Sequence, residues 1–312
     1  MEFAFVFPGQ GSQSVGMVKD FAESYSLVKE NYQQASDVIE VDLWKLVQEG
    51  PAEELNQTAN TQPAMLAASY SVWMIWNKSS NLSPVACAGH SFGEISALTC
   101  AGALTYEFAI KLARQRGEIM QNAVPQGTGA MAAILGLDDA SLDNLCKSIS
   151  ANDNVVEAVN YNAPGQVVVA GHTAAVDGLI DAAKEKGAKR ALKLPVSVPA
   201  HSSLMKDAAD TFAQVLADIT FELPSVPVIQ NATLKNSDNV DELEQALVAQ
   251  LHSPVRWVDT VKMLKESGAN YLLEMGPGKV LTGLQKRIDK SLQSFCISDN
   301  QSLEAAINAI EE

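Results

Sequence analysis

Ser91 stands in the stretch AGHSFGE, residues 88–94, with a glycine two positions to either side. The pattern G-x-S-x-G lies between an apolar run, SPVACAGH, and a helix-forming one, EISALTCAGAL. A serine on so sharp a strand-to-helix turn carries its hydroxyl exposed above the sheet edge, and glycines at 89 and 93 remove side chains that would collide there. The helix N-terminus beneath it favours negative charge developing at a reacting centre. Nucleophilic attack on an acyl carbon is the chemistry this offers, provided that a base takes the hydroxyl proton. The bland alternative is a tight turn holding an inert, hydrogen-bonded serine.

Four histidines are available as that base. His90 adjoins Ser91, and neighbours on a sharp turn point in different directions. His172 follows the run QVVVAG and is placed to help start a helix, while His252 sits in the surface-like AQLHSPVRW. His201, closing LPVSVPAH at the mouth of the next helix, is the best-placed candidate. A lone histidine there is more often a cap or a packing residue, and the exposed serine is what shifts that balance.

A second glycine turn opens the chain. The run Phe3 to Phe7 breaks at Pro8-Gly9-Gln10-Gly11, the strand, turn and helix order that often cradles a phosphate. Ser14 stands where the dinucleotide fingerprint needs its third glycine, and no Walker lysine follows. The cysteines at 87, 100, 146 and 296 show no CxxC and no metal-like spacing, so reduced thiols are expected, with no metal and no bound cofactor.

The elements that must position these residues alternate. Strand and helical patterns succeed one another over the first 120 residues, with helices near 17–35, 37–49 and 61–78, the last with Thr61 as N-cap and Pro63 in its first turn. Such alternation predicts a parallel sheet covered on both faces. Residues 125–198 read β-α-β-β-α-β, the ferredoxin-like split motif, with YNAPG as the turn between its middle strands. The last third returns to alternating α/β, with a strand in NYLLEMG and a helix after Pro277. The expectation is an α/β, hydrolase-like large domain built from 1–124 and 199–312, with a nucleophile elbow, and a small ferredoxin-like subdomain, 125–198, inserted in it.

Composition narrows the function. Of 312 residues, 47% are hydrophobic and 19% charged, ample for a packed core. A formal charge of −15 argues against nonspecific hold on nucleic acid or an anionic membrane. The N-terminus lacks the pattern of a signal peptide, and the apolar stretch 64–76 is shorter than the ~20 residues of a bilayer span. A cytoplasmic protein is the expectation.

The blocks FVFPGQGSQ, TQPA, GHSFGE, QRGEIMQ, VNYNAPGQVVVAG, LPVSVPAHSSLM and EMGPGKVLTGL follow in that order across nearly the whole chain. Together they closely resemble the malonyl-CoA:acyl carrier protein transacylases of bacterial fatty-acid synthesis. That resemblance implies a monomer that moves malonyl from malonyl-CoA to a phosphopantetheinylated carrier protein by a ping-pong route. It makes Ser91 the nucleophile and His201 the base, oriented by the main-chain carbonyl of Gln250, although Glu94 remains a rival for that orienting role. It gives the oxyanion to the backbone N–H groups of Gln10 and Phe92, and the substrate carboxylate to Arg116, which would otherwise be read as a surface charge. Arg114, two residues earlier, falls on another side of the helix and reads as a solvated surface residue. Gln62, Asn160, Asn162 and Asn231 are the polar candidates for lining the cleft.

Two departures stand out: Phe92 occupies a position where leucine is usual, and the base motif reads PAH where PSH is common. The acidic chain and an acidic carrier are reconciled if a local basic patch suffices, since charges beyond ~8 Å are largely screened. Lys189, Arg190, Lys279, Lys286 and Arg287 are its candidates. A serine hydrolase with the same elbow is the nearest rival, followed by a loading acyltransferase of a polyketide or polyunsaturated-lipid synthase, and then by a non-catalytic carrier-binding subunit.

Overall fold

The computed structural model describes residues 1–151 and 153–311. Among the described residues, nine strands form two sheets: β1 (Phe3–Phe7), β2 (Ala86–Gly89), β3 (Gly129–Leu135), β4 (Val156–Ala163), β5 (Gln166–His172), β6 (Arg190–Lys193), β7 (Val228–Ile229), β8 (Tyr271–Met275) and β9 (Gln293–Ile297). The larger sheet runs β7-β2-β1-β8-β9, every neighbouring pair parallel. Its central strand explains its own composition. Phe3, Phe5 and Phe7 point into one core, where Phe5 meets Trp76 edge-on at 5.5 Å, while Ala4 and Val6 point into the opposite core with Trp257 and Leu264. A central strand buried on both faces is apolar throughout rather than alternating with polar residues.

The long helix Thr58–Ser79 crosses the first of these cores. It begins a turn before the predicted start, and Thr61 lies inside it, its hydroxyl donating to the carbonyls of Leu55 (2.6 Å) and Gln57 (3.1 Å). Pro63 has no N–H for the Ala59 carbonyl four residues back. Arg114 supplies a donor instead, at 3.4 Å, and reaches Asn60 Oδ1 at 2.6 Å. Arg114 is therefore half-buried and tied to this helix, not simply solvated.

The smaller sheet runs β4-β5-β3-β6, all antiparallel. One face packs on the helices Asp139–Ile149 and Thr173–Glu185 through Ile134, Val167, Val169 and Leu179. Met131 and Val168, one position out of step, face the other way and line a cleft. β4 continues through most of the segment read as a turn, leaving only Pro164 and Gly165 between it and β5. It stays extended because it has a second partner: Tyr161 N–H donates to Val255 O at 2.9 Å, and Val255 N–H to Val159 O at 2.8 Å. No helix among the described residues is long and apolar enough to cross a membrane.

Candidate active site

The C-terminal ends of β1 and β2 lie side by side, with Phe7 opposite Gly89. Chain segments leaving that sheet edge form the floor of the cleft, the usual ligand position in parallel sheets. Ser91 occupies the turn between β2 and the helix Gly93–Cys100 with φ of 52°. Its glycine neighbours are required sterically. A Cβ at Gly89 would lie 1.8 Å from the Gly93 carbonyl carbon, and one at Gly93 would lie 2.2 Å from the Phe7 oxygen.

Ser91 Oγ lies 2.7 Å from His201 Nε2. The other ring nitrogen, Nδ1, is 2.7 Å from the Gln250 carbonyl oxygen. A carbonyl only accepts, so Nδ1 carries the proton and Nε2 is left free to accept from the serine. His201 is 3% exposed, and burial, aided by the nearby Arg116 charge, lowers its pKa to about 3, so the imidazole is neutral. His201 also has a positive φ, 67°. Both members of the pair are therefore held in backbone conformations that side-chain-bearing residues rarely adopt.

Glu94 does not touch His201. It is fully buried in the first turn of the helix, where its Oε2 accepts from Asn231 N–H and Gln250 Nε2, both at 2.8 Å. These two partners hold Ser91 from both sides. Asn231 Oδ1 accepts from Ser91 N–H at 2.8 Å, and Gln250 Nε2 donates to Ser91 O at 3.0 Å. Asn231 also donates to Gly89 O at 2.7 Å. It braces the turn from beneath and does not line the cleft as predicted, because both ends of its carboxamide are taken by that turn.

Arg116 is 1% exposed, in the helix Tyr106–Gln121. Its guanidinium donates to Gln62 Oε1 at 3.0 Å and Gln250 Oε1 at 2.9 Å, and to no carboxylate among the described residues. Burial lowers its pKa to about 10, opposed by the charge of Glu94, so it remains a cation. Arg116, Gln62 and Asn160 line the same cavity as Ser91 and His201, of about 410 Å³. Phe92, Met120, Met131 and Val168 give it an apolar wall. The backbone N–H groups of Gln10 and Phe92, also at this cavity, donate to no other group among the described residues.

The remaining predicted residues lie further out. Asn162 Oδ1 is 2.7 Å from Nε2 of the half-buried His90, whose ring stands 5.4 Å from that of Trp257. His172 accepts from Val155 N–H through Nδ1, and its side chain caps no helix. Lys189, Arg190 and Arg287 line one groove of about 490 Å³ beside Pro164 and Gly165. Arg287 and Lys286 share the last turn of the helix Val280–Ile288, whereas Lys279 precedes its first turn, roughly 10 Å away along the axis.

Sequence reasoning did not give Glu94 its place at the centre of the site, nor Asn231 its brace. A glutamate in a first helical turn is ordinarily exposed. The available signal was its position three residues after Ser91, which turns the side chain back beneath it.

Residues 4–305 match the family described as acyl transferase domain. The chain is 52% identical over 306 residues to the malonyl CoA-acyl carrier protein transacylase of Escherichia coli (strain K12), covering 98% of this chain and 99% of that one. Against the Bacillus subtilis (strain 168) protein of the same name, identity is 42% over 311 residues, covering 100% and 98%. Among solved structures, an acyl carrier protein S-malonyltransferase from Vibrio cholerae superposes with a TM-score of 0.95 at 51% identity, covering 98% of this chain and 100% of that chain. A malonyl-transacylase in complex with its type II PKS acyl-carrier protein superposes at 0.97 with 50% identity, covering 99% and 100%.

Proposed function

The chain belongs to the acyl transferase family, and from that premise we propose that it moves a malonyl group from malonyl-CoA to the phosphopantetheine thiol of an acyl carrier protein, through a malonyl-Ser91 intermediate. One observation carries the choice of acyl group. A buried guanidinium, satisfied only by neutral carboxamides, faces the cavity that holds the serine and histidine. Such a cation has no anion in direct contact, and an acyl group ending in a carboxylate brings one, with a planar bidentate fit.

In the first half-reaction His201 Nε2 takes the Ser91 hydroxyl proton as Oγ attacks the thioester carbonyl. The oxyanion is held by the N–H groups of Gln10 and Phe92. The tetrahedral adduct collapses, the C–S bond breaks, and CoA sulfur leaves with the proton carried by His201. Malonyl-Ser91 remains, its carboxylate on Arg116. In the second half the carrier thiol gives its proton to His201 and its sulfur attacks the ester. Ser91 then departs and recovers the proton. The neutral Gln250 carbonyl holds the imidazole's direction, where serine hydrolases use a carboxylate that also stabilises imidazolium.

We read residues 1–124 and 199–312 as one domain, since β1 and β2 share a sheet with β7, β8 and β9, and residues 125–198 as a ferredoxin-like insert, supported by the strand order β4-β5-β3-β6. The turn at Ser91 is then the nucleophile elbow. The basic groove of Lys189, Arg190 and Arg287, with neighbouring Lys286, is read as the carrier-protein patch. The enzyme acts as a monomer in the cytoplasm on this reading.

Intact-protein mass spectrometry tests it. A malonyl adduct should form with malonyl-CoA, vanish in Ser91→Ala, and discharge onto phosphopantetheinylated carrier. Discharge to water alone would make the protein a hydrolase. An adduct only with another acyl-CoA would retain the mechanism and discard the substrate.

A further inference from the structure

Among the described residues Arg116 has no direct carboxylate partner, yet a carboxylate lies one carboxamide away. Gln250 accepts from Arg116 through Oε1 and donates to Glu94 through Nε2, so guanidinium, amide and carboxyl form a continuous buried chain. The second oxygen of Glu94, Oε1, is buried with no hydrogen-bond partner. A carboxylate desolvated on one oxygen and supported on the other is poised between its two protonation states.

We propose, resting on the assignment of the substrate carboxylate to Arg116, that Glu94 is the internal counter-ion of Arg116 in the empty site, and that it takes up a proton when malonyl is loaded. The substrate's carboxylate then replaces Glu94 as the anion of the cluster. Two buried anions beside one cation cost more than one, and protonating the unpartnered oxygen removes the excess. The covalent step is unaltered: one proton passes from solvent to the Glu94 carboxylate. Glu94 is a positioning residue, since it reaches substrate only through Gln250 and Arg116.

The surroundings leave few competitors for that proton. Arg116 is the charged group acting on Glu94, while Asn231 and Gln250 act on it as neutral donors. Among the cleft titrants, burial holds the pKa values of His201 and His90 down. Cys100 on Glu94's own helix and Cys87 on the adjoining strand are kept as thiols by burial. Burial raises the Glu94 pKa to about 7, against the lowering effects of its donors and of Arg116.

The test is proton uptake on loading, measured calorimetrically at pH 7 in buffers of different ionisation enthalpy, with acetyl-CoA as the control without a carboxylate. Glu94 is at least partly ionised there, so loading malonyl should take up a measurable fraction of a proton, and loading acetyl none. The apparent KM for malonyl-CoA should rise with pH through neutrality, by up to about tenfold per unit, the limit for one linked proton. Glu94→Gln, which preserves shape, should abolish the uptake and flatten that profile. Uptake that is absent, equal with acetyl, or retained in Glu94→Gln would overturn the proposal. Should the variant fail to fold, the wild-type comparison of malonyl with acetyl still decides. Arg116→Ala separates the two levels: unchanged malonyl transfer would remove the underlying assignment, whereas lost malonyl preference without wild-type proton uptake would remove only the role of Glu94.

Discussion

Arg116 Nη2 donates to Gln250 Oε1 at 2.9 Å, while the main-chain oxygen of the same Gln250 lies 2.7 Å from His201 Nδ1. One residue thus serves two poles of the site with two different parts of itself.

Gln250→Ala separates these services, because truncation leaves the carbonyl on His201. A hydrogen bond to a charged group is worth about 1.5–3 kcal/mol, so the preference for malonyl over acetyl in kcat/KM should fall by about tenfold or more. Competition between the two acyl-CoA donors reads this directly. Equal losses for both would make the side chain a brace for Ser91 alone.

Gly93→Ala should be intolerable. Its Cβ would meet main-chain atoms of Phe7 and Pro8 at 2.2–3.0 Å, so the two loops over the sheet edge would have to separate. Loss of soluble protein, or destabilisation beyond about 4 kcal/mol in denaturant melts, is expected. Gly178→Ala, in an open position on the helix Thr173–Glu185, should instead stabilise by up to about 1 kcal/mol.

Charge reversal at Lys286 and Arg287 should raise the apparent KM for carrier protein several-fold while leaving that for malonyl-CoA little changed. The penalty should shrink as salt is added, since exposed charges act mainly through steering. Steady-state kinetics with each substrate varied in turn would check this. Equal effects on both would move the carrier elsewhere.

Stability should respond to pH through Glu94 and His201 in opposite directions. The folded state holds the Glu94 proton up to about pH 7, and the unfolded chain only to about 4.5, so folding binds more protons in that window. The contribution is complete below 4.5 and is lost as pH rises to 7, roughly 3 kcal/mol in all. His201 behaves inversely: its folded pKa is depressed, so its contribution is lost as pH falls below 6.5. Melts of Glu94→Gln against the wild type should therefore show the variant gaining relative stability between pH 5 and pH 8.

Periodicity made the sheets legible because strand residues answer to local burial. The unbroken apolar run Phe3 to Phe7 announces a doubly covered strand, and the apolar run before GHSFGE announces the sheet edge carrying Ser91. His201, chosen by its place before a helix, lies at hydrogen-bond distance from Ser91 across 110 positions. The misses have a common cause. The extended form of Tyr161–Ala163 and the places of Arg114, Glu94 and Asn231 are each set by a partner far along the chain. Arg116 and Gln250 entered only through family resemblance for the same reason: their meeting spans 134 positions and leaves no local pattern.

The positive φ of Ser91 bears on the chemistry of the proposed nucleophile itself. Alcohols and thiols can both attack a thioester, and threonine is as much an alcohol as serine. A β-branched side chain, however, is a genuine outlier in left-handed backbone, where its second branch crowds the main chain. The turn thus acts as a sieve on nucleophiles: it admits the unbranched oxygen or sulfur of serine or cysteine and penalises threonine on shape, before reactivity is ever compared.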